Sequence, residues 1–388
     1  MTLANTGDTD IPNCCNRNAL TFPPHKGDPL ILSLEDCHRI ADAGSFQELL
    51  SLRRELLDLY RLEGMNRAGE MAPYAVTVNL IHDKVIRQGV LLAVRHLAKM
   101  GVGTPPVPFA FLQFGSGGRS EQAVISDQDN GLVYRIPDGM DKREMERVEN
   151  YFHLLGAAIV QGLEQVGYPP CRGNVTCVSA RWRGSTDQWM ERLAAWAADP
   201  VWEHTRYLLL VGDARILWGE PDVVAPLIKQ YRRLLAHNPI LIGRLVSNTR
   251  FHRIPLTWLG RIAPDITGRY QGAINLKYGV YLPIVNVVRH FALAHGIHAA
   301  STLERLAALR EAGIWPVAFC REVEHHFRLL LGLRLIAPLH WRDGTYASNS
   351  YVKLSELSSD TLSMLREAMK LALRLQKWTK KMLAAYPE

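Results

Sequence analysis

The sequence predicts an α+β protein, with a small mixed sheet flanked by helices, a helical segment before it and an all-helical domain behind it. Two observations carry this expectation. Phe109–Phe114 and Gly131–Tyr134 are short apolar runs of strand length, lying close together just after the Pro105-Pro106 break. On either side of them, apolar residues recur at three- and four-residue spacing over stretches too long for strands.

In chain order, residues 1–28, with their Asn, Thr, Pro and Gly, read as a flexible tail without the continuous apolar core of a secretory signal. Residues 29–104 read as helical. Ser45 and Glu48 make a capping box for a helix carrying Leu49, Leu52, Leu56 and Leu59, and a second helix is expected from Tyr74 toward Met100. Residues 105–235 are expected to hold the sheet, with a helix over about Lys142 to Val166 and a third strand over Gly173–Val178. Residues 236–388 read as a helical domain. There Pro283 opens one helix, closed by Gly296, Ser301 and Glu304 open another, and Met364–Met382 is the last.

The chemistry concentrates where the two apolar runs meet polar residues. The first run ends in Gly115-Ser116-Gly117-Gly118-Arg119-Ser120-Glu121-Gln122, and Ser126-Asp127-Gln128-Asp129-Asn130 leads into the second. A glycine turn lets successive N–H groups converge on an anion, so Gly115, Ser116, Gly118 and Arg119 are phosphate-binding candidates. Arg119 either neutralises that phosphate or pairs with Glu121. Asp127 and Asp129 are two apart and project to one side of an extended segment, a juxtaposition of like charges that a cation relieves. Mg²⁺ or Mn²⁺ suits them, because Mg²⁺ combines one or two carboxylates with phosphate oxygens and water. Such a set holds a nucleoside triphosphate with its metal.

With these residues in view, the pattern resembles a family of bacterial nucleotidyltransferases often joined to CBS and cyclic-nucleotide-binding domains. That family is similar to protein-PII uridylyltransferase, within the DNA polymerase beta superfamily. The resemblance extends to Ile81-His82-Asp83, Tyr168-Pro169-Pro170-Cys171, Trp182-Arg183-Gly184-Ser185, Asp213-Ala214-Arg215 with Gly219, Leu276-Lys277, and Thr302 to Leu306, over about residues 30 to 385. It implies metal-dependent transfer of a nucleoside monophosphate, UMP or AMP, from a triphosphate to a hydroxyl of a protein or small molecule. By motif match, Gly115 and Ser116 bind phosphate, Asp127 and Asp129 hold metal, and Lys277 reaches the triphosphate from the helical half.

The chain departs from the family pattern in two places. Gly117 stands where Glu is common, and Cys171 to Arg181, the segment expected to bring a third carboxylate, has no Asp or Glu. Asp213 is the first candidate to replace that acid; its alternative is a helix residue paired with Arg215 or a neighbour. Two readings therefore stand: a working transferase, or a nucleotide-binding regulatory protein with weakened catalysis.

Composition narrows the partners. The net charge of +7 favours acidic ligands such as nucleotides, but the basic residues are dispersed along helices, which argues against a specific nucleic-acid surface. No apolar run reaches the ~18 residues of a membrane span, and a cytoplasmic protein with no membrane partner is expected. Cys14, Cys15, Cys37, Cys171, Cys177 and Cys320 lack zinc-site spacing and read as reduced thiols. Trp182, Trp189 and Trp196, seven apart, read as a helix face packed on a core rather than a ladder for stacking bases. His82, His290, His295, His325 and His326 sit in helical stretches and read as packed or surface side chains.

Overall fold

The computed structural model describes residues 32–66, 71–171, 173–236, 238–248, 253–337, 339–342, 345–348 and 350–383. The tail expected over residues 1–28 lies outside them, as do Cys14 and Cys15.

The N-terminal helical region is α1 (Leu34–Asp42), α2 (Phe46–Asn66) and α3 (Met71–Lys99). At the start of α2, the Glu48 amide donates to Ser45 Oγ at 3.2 Å while the Glu48 carboxylate accepts the Gly44 amide at 2.9 Å. Leu49, Leu52 and Leu56 turn inward, and Leu59 stays exposed.

The sheet-bearing part begins with β1 (Phe109–Gln113), a short helical turn α4 (Gly115–Gly118) and β2 (Asn130–Tyr134). There follow α5 (Lys142–Gln165), β3 (Arg183–Ser185), α6 (Thr186–Ala198), α7 (Trp202–Gly212), β4 (Arg215–Gly219), α8 (Pro221–Ala236) and α9 (Pro239–Ser247). The C-terminal part contains β5 (Ala273–Asn275), a π-helical turn over Lys277–Tyr281, α10 (Leu282–Ala294), α11 (Thr302–Glu311) and α12 (Val317–Ile336). It continues with β6 (Leu339–Arg342), β7 (Thr345–Ser348), β8 (Tyr351–Lys353) and α13 (Ser359–Leu383).

The main sheet has the order β3-β2-β1-β4 and is mixed: β1 runs antiparallel to β2 and β4, and β2 parallel to β3. Successive β1 residues alternate between two cores. Phe109 and Phe111 join the N-terminal and C-terminal helices, whereas Ala110, Leu112 and Phe114 join α6, α7 and α8. Burial on both faces explains why β1 reads as an unbroken apolar run.

A strand over Gly173–Val178 is not formed. That segment is a loop that touches β2 through Asn130 N to Val175 O at 2.9 Å, and the ladder partner of β2 is Arg183–Ser185. The tryptophans are core residues, as their spacing suggests, although Trp182 precedes β3 and only Trp189 and Trp196 lie on α6. Their ring centroids lie 5.9–6.5 Å apart, and Trp189 Nε1 donates to Leu132 O at 3.0 Å, so these buried rings anchor α6 to the sheet. Among the described residues no helix is long and apolar enough to cross a membrane.

Candidate active site

The end of β1 sets the site. Phe114 N donates to Asp129 O at 2.9 Å, continuing the β1–β2 pairing one step past the ladder and bringing Gly115 against Asp129. Gly115 has φ +54°, and a Cβ there would stand 2.7 Å from Asp129 Oδ2. Glycine is required twice, for the backbone conformation and for the carboxylate's room.

From Gly115 the chain makes a single turn. Gly118 N donates to Phe114 O and Arg119 N to Gly115 O, so the amides of Gly115, Ser116 and Gly117 precede the first bond of the turn. Arg215 on β4 holds the carbonyl side: it donates to Gly117 O at 2.9 Å and Gly118 O at 3.3 Å and pairs with Asp83 through two 2.7 Å bonds. The carbonyl end of the turn is thus held by a guanidinium, while its leading amides lie ahead of the turn's own bonds.

The aspartates behave as their spacing suggests. Between them Gln128 points inward, donating to Val160 O at 3.0 Å and Tyr168 O at 2.8 Å, while Asp127 is exposed and Asp129 half-buried on the other side. Burial, followed by the charge of Asp127, pushes the Asp129 carboxyl up to about 6. A hydrogen bond with Cys171 and the nearby Lys277 charge work in the opposite direction. Burial and the Asp129 charge in turn push the Cys171 thiol up to about 12, so it is a neutral donor. Lys277, whose charge acts on Asp129, stands at the start of the π-helical turn of the C-terminal part.

Three expected site residues lie elsewhere. Asp213 is fully buried, and its carboxylate accepts from Arg119 at 2.6 Å, Arg289 at 2.9 Å and Arg305 at 2.8 Å. Burial alone would raise its pKa, but Arg289, Arg119 and Arg305 outweigh it and hold the carboxyl down at about 2. With both oxygens taken by guanidiniums, Asp213 does not supply the third acid. Arg119 is also buried, donating to Glu121 at 2.7 Å and to Asp213, so it makes the Glu121 pairing rather than facing a phosphate. Gly118 spends its amide on Phe114 O; a Cβ there would lie 1.9 Å from Asp213 O, so its glycine serves close packing.

Sequence reasoning passed over Tyr281, Arg289 and Arg334 as site-supporting groups, because their partners are distant in the chain. His82 is buried, as its helical setting suggests. Its Nδ1 faces the Tyr168 hydroxyl at 2.8 Å and its Nε2 faces Ala123 O at 2.9 Å, so Nε2 carries the proton. Burial, with Arg53 adding to it, lowers its pKa to about 3.

Two matches to known families fall along this architecture. Residues 63–203 match the family described as putative nucleotidyltransferase DUF294, and residues 239–383 match the putative nucleotidyltransferase substrate binding domain. No curated protein matches the chain. The first match contains the glycine turn and both aspartates, and the second contains Lys277 and the helices beneath it, so the chain joins a nucleotidyltransferase domain of this family to the family's substrate-binding domain.

Proposed function

We propose that the protein transfers a nucleoside monophosphate, UMP or AMP, from a nucleoside triphosphate to a hydroxyl of a protein or small molecule, with a divalent metal bound. The observation that supports this reading best is the pair Asp127 and Asp129, set on one side of the chain beside the leading amides of the Gly115 turn. Residues 105–235 carry this chemistry, and 236–388 supply Lys277 and the acceptor's surface.

The residues suit Mg²⁺ or Mn²⁺. Asp129 is pushed up first by burial and then by the charge of Asp127 beside it, and a cation offsets the second of these. Among the described residues no cluster of three or more His, Cys, Asp or Glu forms a ready-made cage. Mg²⁺ needs no such cage, since phosphate and water oxygens complete its shell. When bound, the metal supplies charge neutralisation for the leaving phosphates.

The chain's own groups do the rest. The amides of Gly115, Ser116 and Gly117, with the Ser116 hydroxyl, orient the terminal phosphates. Lys277 adds a cation from the opposite side. The acceptor hydroxyl gives its proton to water as its oxygen bonds to the α-phosphorus, the bond from the α-phosphorus to the α–β bridging oxygen breaks, and pyrophosphate leaves with its charge held by these donors. Calorimetry with ATP, UTP, CTP and GTP, each with Mg²⁺, tests the reading, followed by pyrophosphate release. Selective binding lost in Asp127→Asn/Asp129→Asn supports it, and absence of binding to all four overturns it.

A second reading, a nucleotide-binding regulator with weakened catalysis, draws on one observation: Cys171 bonds with Asp129, and no carboxylate from the neighbouring segment stands with the pair. Cys171→Asp separates the two. Under the regulatory reading it raises pyrophosphate release without tightening nucleotide binding; under the first reading, release is already present in the wild type and does not rise.

A further inference from the structure

The charged residues just after the glycine turn face the C-terminal helices. Glu121 Oε2 accepts from Arg119 Nε at 2.7 Å and from the Tyr281 hydroxyl at 2.5 Å. Its Oε1 accepts the Thr302 amide, the first residue of α11, at 2.9 Å, and its backbone oxygen accepts Arg334 at 2.8 Å. The Arg334 guanidinium also lies 4.1 Å from the Tyr281 ring centroid. A buried carboxylate with this many donors is fully satisfied, and every donor except Arg119 comes from beyond residue 280.

Tyr281 has a second property. Its ring is buried and stacks on Phe327, with centroids 5.7 Å apart, a place phenylalanine would fill equally well. The hydroxyl therefore adds little packing and contributes a directional bond to Glu121. Tyr281 also closes the π-helical turn that Lys277 opens, in which the Leu282 amide reaches back five residues to Lys277 O. Such wide turns occur as single insertions in α-helices and are frequent at functional sites. Lys277 and Tyr281 are the first and last residues of that turn, and the Lys277 charge acts on Asp129, so the residue anchored to Glu121 holds the turn from which Lys277 extends.

We propose that Glu121 and Tyr281 are positioning residues of the nucleotide site: their hydrogen bond fixes the π-helical turn so that Lys277 is presented to the triphosphate beside Asp127 and Asp129. The inference rests on the nucleotidyl-transfer reading above and names the part of the C-terminal domain that completes the site. A lysine has long rotamer freedom, and holding its backbone in place lowers the ordering cost of each phosphate contact.

The test is a double-mutant cycle on the full chain. Dissociation constants for ATP and UTP, each with Mg²⁺, are measured by calorimetry for wild type, Tyr281→Phe, Lys277→Met and the double variant. Each single change weakens binding of the preferred nucleotide about tenfold, and the double variant binds no more weakly than Lys277→Met alone. A merely structural tyrosine gives losses that multiply, or none, and either result overturns the inference while leaving the function standing. No nucleotide bound by the wild type overturns the function itself. Should Tyr281→Phe fail to fold, Glu121→Gln takes its place in the same cycle with the same expectation.

Discussion

Half-buried Asp129 and fully buried Asp213 both lie against the same glycine turn, yet their surroundings push them in opposite directions. Asp129, desolvated beside another carboxylate, is raised to about 6; Asp213, desolvated more completely, is held at about 2. The difference is the neighbouring charge. Three guanidiniums bond directly to Asp213, whereas Asp129 has a neutral thiol as its bonded partner and feels Lys277 and Arg119 only through their charge. Burial alone identifies neither a catalytic nor a structural carboxylate. A carboxylate whose partners satisfy it supports the structure, and one whose partners leave charge uncompensated is ready for a ligand.

The largest expected effect comes from breaking the satisfied side. Asp213→Asn leaves Arg289 and Arg305 buried without their counter-charge and Arg119 with Glu121 alone, and lowers the unfolding free energy by about 3–5 kcal/mol, read from urea denaturation. Because the folded pKa of Asp213 is depressed, its contribution is complete above the ordinary carboxylate value and is lost as pH falls toward about 2. The wild type should therefore lose stability over that acid range, and Asp213→Asn should show a flatter profile there.

The next effect is on the other side and leaves stability alone. Asp127 is exposed and its charge raises the pKa of Asp129, so Asp127→Asn leaves the urea midpoint unchanged or slightly higher. Metal-dependent nucleotide binding, measured by calorimetry, weakens by more than about a hundredfold, beyond the loss typical of an outer-shell partner. If Asp127→Asn unfolds the protein, or Asp213→Asn loses binding at unchanged stability, the contrast between the two sides is wrong.

The open side was legible in the sequence because its signals are local. Glycines at the end of one apolar run, and two aspartates separated by one residue at the start of the next, carry their geometry in their spacing. The side-chain cap at Ser45 and the capping box at Ser301 are likewise local. The satisfied side was not legible, since Arg119 meets Asp213 and Tyr281 across 94 and 162 residues and nothing near Arg119 announces them. The third strand failed for a related reason. Gly173–Val178 looked extended, whereas the three residues Arg183–Ser185, with glycine at their centre, carry no strand signal and pair only because α6 and its buried tryptophans hold them beside β2. β4 has no counterpart among the expected strands, because Ile216–Trp218 is too short for its period to be distinguished.

The smallest effect sharpens the comparison most, because it concerns sign rather than size. With a folded pKa near 6, above the ordinary value of about 3.9, Asp129 retains a proton that the unfolded chain has already released. Stability contributed through this group therefore falls as pH rises from about 4 to about 6 and stays low beyond, the reverse of Asp213. Asp129→Asn removes the penalty. At neutral pH and without metal the variant should be more stable than wild type by about 2 kcal/mol or less, and the gap should close below about pH 4. Parallel thermal melts at the two pH values decide it. A variant less stable than wild type at neutral pH would mean that the Cys171 and Lys277 contacts already satisfy Asp129, and that the strain relieved by a metal is absent.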